Sequence, residues 1–115
     1  MYLRKEDMIT TERAHARGGE GTIYMTDFLS SEDACGKGRL FSRLLLPPGT
    51  SMGMHGHAGE FEVYYFLSGE ALVGDGREEI PMHPGDTYLC RDGEEHSLKN
   101  AGDTDLELIA VILYT

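Results

Sequence analysis

Residues 49–69 read GTSMGMHGHAGEFEVYYFLSG and carry two imidazoles, His55 and His57, followed by two carboxylates, Glu60 and Glu62. Imidazole nitrogens and carboxylate oxygens are the donors that first-row divalent ions accept, so the cluster reads as part of a metal site. It reads equally as a glycine-rich turn that carries polar side chains. Alternate residues of a strand share one face, which sets the two rings of an HxH pair about 6–7 Å apart along the chain. Glu60 and Glu62 have the same parity, and either carboxylate suits the pair. A full set needs a donor from elsewhere. A second glycine-rich run, Gly85, Arg91, Gly93, His96 and Asn100, supplies another histidine downstream.

These residues must be held by a framework, and the chain is long enough to build one. Its 115 residues argue for one domain, residues 1–115, with a core that needs no disulfide staples. An apolar content of 40% excludes a disordered chain. The formal net charge of −10 argues against a nucleic-acid partner, which requires lysine and arginine against phosphate. No run reaches the roughly 18 apolar residues of a membrane span. The basic residues near Met1 are not followed by an apolar stretch, so no secretory signal is expected. Cys35 and Cys90 form no CxxC pair and read as reduced thiols. On these features a cytoplasmic protein without a membrane partner is expected.

Strand signals dominate. The predicted strands are Thr22–Phe28, Arg39–Leu46, Phe61–Leu67, Ala71–Val73, Arg77–Pro81, Asp86–Cys90, His96–Asn100 and Asp105–Tyr114, joined by short runs rich in Gly, Pro and Asp. Asp75-Gly76 predicts a type I′ hairpin, and the single predicted helical piece lies near Lys5–Glu12. Many short strands point to an all-β antiparallel sandwich or barrel. If Glu62 points inward, Tyr64 and Phe66 follow it, while Phe61, Val63, Tyr65 and Leu67 form an outer face too apolar to stay wet. The last strand is apolar on both faces. A second copy of the chain is the expected cover, giving a homodimer.

The two segments resemble the paired motifs of the cupin family. Gly49, His55, His57, Glu62 and Gly69 meet every specified position of the first motif; Gly85, Gly93, His96 and Asn100 meet the second, with Arg91 where proline is usual. The motifs span just under half of the chain, Gly49 to Asn100. The resemblance implies a double-stranded β-helix, a jelly-roll barrel, enclosing one divalent transition metal held by His55, His57, Glu62 and His96. Mn, Fe, Zn, Ni, Co and Cu all accept three nitrogens and one oxygen, so donor type does not choose among them. Four protein ligands on a six-coordinate ion leave two positions for a small-molecule ligand or dioxygen. Small single-domain cupins often resemble the oxalate-decarboxylase-like group.

The remaining pocket candidates are weighed against plainer roles. Glu60 is expected to be a solvated strand-end residue or to stand behind the ligands at the rim. Tyr64, Phe66 and Tyr88 are expected to line the barrel, with wall packing the default for Tyr64, and Cys90 to be a small buried hydrophobe. Met52 and Met54 are placed on a loop at the barrel mouth. Arg91 pairs with Glu94 or Glu95, or clamps a substrate carboxylate. His15 and His83 read as surface residues. Three function classes follow: a small metal-dependent enzyme of oxygenase, decarboxylase or isomerase type, a non-catalytic metal or small-ligand binding module, and a structural dimer with a vestigial site. No residue stands out as the proton donor that decarboxylation requires.

Overall fold

Apolar residues at every second position decide which side of each strand is buried, and the chain folds so that two such faces meet. The computed structural model describes residues 1–115. Its strands are β1 (Thr10–Ala14), β2 (Thr22–Asp27), β3 (Gly38–Leu46), β4 (Ser51–Gly56), β5 (Glu60–Ser68), β6 (Ala71–Gly74), β7 (Glu79–Met82), β8 (Thr87–Cys90), β9 (Glu95–Asn100) and β10 (Leu106–Tyr114). One sheet has the order β1-β2-β3-β10-β5-β8 and the other β4-β9-β6-β7, with every pairing antiparallel. This is the jelly-roll architecture that the motifs imply.

Between the sheets, Leu44, Leu46, Tyr64, Phe66, Leu106 and Leu108 of the first meet Met52, Val73, Met82 and Leu98 of the second in one apolar core. β10 pairs with β3 on one side and β5 on the other and so holds the layer together. Its outer residues Ile109, Val111 and Leu113 are half-buried, while Tyr65, Leu67 and Leu89 on the neighbouring strands are exposed.

The motif residues outside the metal cluster have structural work. Gly69 adopts φ +86°, and a Cβ there would run into the backbone at Asp105 and Leu106 where β10 begins. Only glycine satisfies both conditions. Asn100 donates from Nδ2 to the carbonyls of Leu46 and Thr104, each at 2.8 Å, and its Oδ1 accepts from the Gly102 amide at 2.9 Å. It thereby ties the end of β9 to β3 and to the turn before β10.

Three local expectations are corrected. The Lys5–Glu12 helix is a three-residue 3-10 turn, Lys5–Asp7, followed by β1. An isolated piece of that length cannot hold a helix, whereas Thr10 and Thr11 pair with β2 and the Thr10 and Thr26 hydroxyls meet at 2.7 Å. Met52 and Met54 lie on strand β4, not on a loop, because Met52 and His55 pair with Leu98 and His96 of β9. The β6–β7 turn is not type I′. Gly76 alone has positive φ, and the Asp75 carboxylate accepts from the amides of Arg77 and Glu78.

Candidate metal centre

His55 and His96 face each other directly across the β4–β9 pair, just beyond a register shift in β4. Such an irregularity re-aims the side chains that follow it. His57 lies past the end of β4. Its backbone is pinned to the turn before β9, with the Gly93 amide donating to the His57 carbonyl at 2.7 Å and the His57 amide donating to Glu94 at 3.1 Å. Glu62 enters from the opposite sheet on β5. The four residues predicted as ligands therefore come from both layers, and one donor atom from each lies within 4.8 Å of the others.

The inner donors are closer still. His57 Nε2 lies 3.1 Å from His96 Nε2, and Glu62 Oε1 lies 3.2 Å from the first and 3.0 Å from the second. An ion with bond lengths of about 2.1 Å places donors at right angles about 3.0 Å apart. The triangle matches one face of such a coordination shell. Glu62 Oε1 is buried with no hydrogen-bond partner, and a buried carboxylate oxygen in that state calls for a cation. The residues fit a divalent transition ion.

The other ring nitrogens are engaged in three different ways. His55 Nδ1–H donates to the Gly53 carbonyl at 2.7 Å, leaving Nε2 free to face the cluster. His57 Nδ1–H donates to Glu60 Oε2 at 2.5 Å, and Arg39 grips both oxygens of Glu60 at 2.7 Å. His96 Nδ1 is buried without a partner. The His96 ring instead stacks on Tyr64, centroids 5.2 Å apart, and on Tyr88 at 5.9 Å.

These surroundings move several protonation equilibria. Arg39, together with the His57 hydrogen bond, outweighs burial and holds the Glu60 carboxyl down at about 2. Glu60 raises the Arg39 guanidinium in turn. Burial lowers His55, which favours the neutral ring a metal requires. Burial pushes Tyr88 up to about 12 and Cys90 up to about 11. Tyr64 rises well above the phenol range, first through burial and then through the Glu62 charge.

A cavity of about 530 Å³ opens beside the cluster, with Met52, His55, His57 and Glu62 in its wall. Of the other pocket candidates, Tyr64 and Phe66 are buried in the apolar core instead. Tyr88 lies behind His96, and Met54 is exposed. Glu60 is not a solvated strand-end residue: it is buried and braces His57. Arg91 is exposed and lies in a separate depression with Asp75, Arg77 and Glu95. Its amide donates to Glu94 Oε1, while its guanidinium joins no ion pair. The contributors that sequence reasoning missed are Arg13, Arg17 and Arg39, which line the same cavity. Nothing local links Arg39 to Glu60, 21 residues away.

Comparison with known proteins gives a consistent result. A family model described as a cupin domain matches residues 42–112. An oxalate-binding protein of Thermotoga maritima is 43% identical over 113 residues, 98% of this chain and 93% of that protein. A crystal structure described as a predicted oxalate decarboxylase from Thermotoga maritima superposes with a TM-score of 0.95 at 43% identity, covering all of both chains. A sugar phosphate isomerase from Silicibacter pomeroyi shares the fold, with a TM-score of 0.79 at 18% identity over all of this chain and 76% of that one.

Proposed function

Because the chain belongs to the cupin family, we propose that it binds a small carboxylate, of the oxalate class, at one divalent transition metal held by His55, His57, Glu62 and His96. The observation that carries this reading is the triangle of buried donors, 3.0–3.2 Å on a side, at the wall of a cavity large enough for a small molecule. The oxalate-binding name of the 43% identical relative supports the ligand class. When bound, the ion acts as a Lewis acid toward a carboxylate or carbonyl oxygen. The protein's own part is to orient the donors. Glu60 and the Gly53 carbonyl fix the His57 and His55 rings, and the two tyrosines fix His96.

Binding is preferred over turnover for a chemical reason. Carbon–carbon cleavage or isomerisation needs a group that delivers a proton beside the ligand. The acids of the cavity wall are Glu62, which faces the histidines, and the exposed Asp27. Burial holds Tyr64 and Cys90 protonated and poor donors.

Elemental analysis of purified protein followed by calorimetric titration with oxalate tests the reading. The expected result is close to one equivalent of a transition metal and an oxalate affinity abolished by a chelator. Less than a tenth of an equivalent after reconstitution, or oxalate binding indifferent to chelation, would overturn it. Turnover of a panel of small carboxylates and diketones by the metal-loaded protein would replace it with the enzymatic reading.

A further inference from the structure

The cavity beside the metal cluster gathers arginines in an acidic protein. Its wall takes Arg13, Arg17 and Arg39, three of the chain's ten lysines and arginines, against the acids Asp27 and Glu62. The three arginines are not equivalent. Arg39 is already spent on both oxygens of Glu60. Arg13 and Arg17 are exposed and join no ion pair, the only other paired arginine being Arg43 with Glu107.

Arg17 is presented by an unusual backbone. His15 (φ 51°, ψ 47°) and Arg17 (φ 53°, ψ 30°) both adopt left-handed conformations, which non-glycine residues rarely occupy. Strain of this kind persists only where the surroundings impose it, and it concentrates at ligand clamps. Here the surroundings are visible. The turn is fastened to β4 by the Glu20 amide on Ser51 Oγ at 2.9 Å and the Ser51 amide on the Glu20 carbonyl at 3.0 Å. Gly19 and Gly53 let the two backbones touch: a Cβ on Gly19 would meet the Ser51 carbonyl, and one on Gly53 would meet the Arg17 carbonyl. The turn therefore cannot drift away from the strand that carries His55.

We propose that Arg17 is a specificity-determining residue that grips the outer carboxylate of a small dicarboxylate whose inner end lies at the His55–His57–Glu62–His96 cluster. The proposal rests on the carboxylate-binding reading above and deepens it by naming a second contact to the dicarboxylate. Chelation at two open positions on the ion already favours oxalate over acetate. A guanidinium in the wall of the same cavity adds a fork of donors for the carboxylate oxygens that the ion leaves unbound. Arg13, on β1, stands beside it as a further positive charge.

The test is calorimetric titration of the zinc-reconstituted full chain with oxalate and with acetate, zinc being free of redox chemistry. Arg17→Gln should keep its zinc and its acetate affinity and lose about tenfold or more in oxalate affinity, the scale of a charge-assisted contact. Arg17→Gly is the control for folding, because glycine accepts φ 53°. It should melt no lower than the parent and show the same selective loss. Oxalate affinity within twofold of the parent in both variants would overturn the proposal. So would parallel losses of oxalate and acetate, which would mean that the site itself had changed. A parent protein that holds zinc but binds neither ligand would instead overturn the carboxylate reading, and the Arg17 assignment with it.

Discussion

Replacing Glu60 by glutamine removes one charge from the bridge between Arg39 and His57 and leaves the volume nearly unchanged. The structure sets the size of the effect. Glu60 accepts two bonds from Arg39 at 2.7 Å and one from His57 at 2.5 Å, and its carboxyl is held at about 2 instead of 4.5. That displacement corresponds to about 3 kcal/mol. The Arg39 side chain is 39% exposed, so solvent screening reduces the figure to about 1–2 kcal/mol. For a domain of this size the metal-free melting point should fall by roughly 4–10 °C. Metal affinity should fall about 10–100-fold, because the acceptor that orients His57 loses its charge. The sign of the pH dependence follows from a depressed carboxyl. The contribution is full above pH 4.5 and disappears as pH falls toward 2, so the melting curves of parent and variant should converge over that interval. Competition with a chromophoric chelator at neutral pH reads the first effect, and thermal melts of chelator-treated protein across acid pH read the second. Metal affinity within twofold of the parent would refute the bracing role of Glu60. A stability gap that survives unchanged near pH 2 would refute its electrostatic origin.

Other perturbations address the fold around the site. Cys90 is fully buried and its thiol is raised from 9.0 to about 11, so the fold favours the neutral form. Stability should fall as pH rises from 9 to 11, by at most about 3 kcal/mol from this group, and urea melts of Cys90→Ala should show a flatter dependence there. Gly53→Ala drives a Cβ into the Arg17 carbonyl and should cost about 2 kcal/mol or more; a melting point equal to the parent's would show that the His15–Gly19 turn moves freely. Tyr65, Leu67 and Leu89 expose a shared apolar face beside the half-buried outer residues of β10. We expect that face to pair two copies of the chain, and sedimentation as a monomer at micromolar concentration would refute it.

The four residues that cluster as candidate metal donors were legible in the sequence because two short motifs carry them. His55 and His57 are two residues apart, Glu62 shares the parity that turns Tyr64 and Phe66 inward, and positive-φ glycines mark the turns between strands. Strand periodicity and turn chemistry act over a few residues, so the strands after residue 20 could be read, apart from β4, where glycines hid the alternation. What neighbours what is a different kind of information. Arg39 reaches Glu60 only because β10 lies between β3 and β5 and pairs with both, bringing Gly38 and Glu60 to opposite sides of the same end of β10. Glu60 could not be told from a solvated glutamate until that pairing buried it. Arg17 reaches the cavity only because the turn that carries it is fastened to β4 at Ser51, 34 residues on. Spacing within two short segments marks a set of candidate donors. The braces behind them and the charge across from them depend on antiparallel pairing between distant segments, which the register of the folded sheets alone decides.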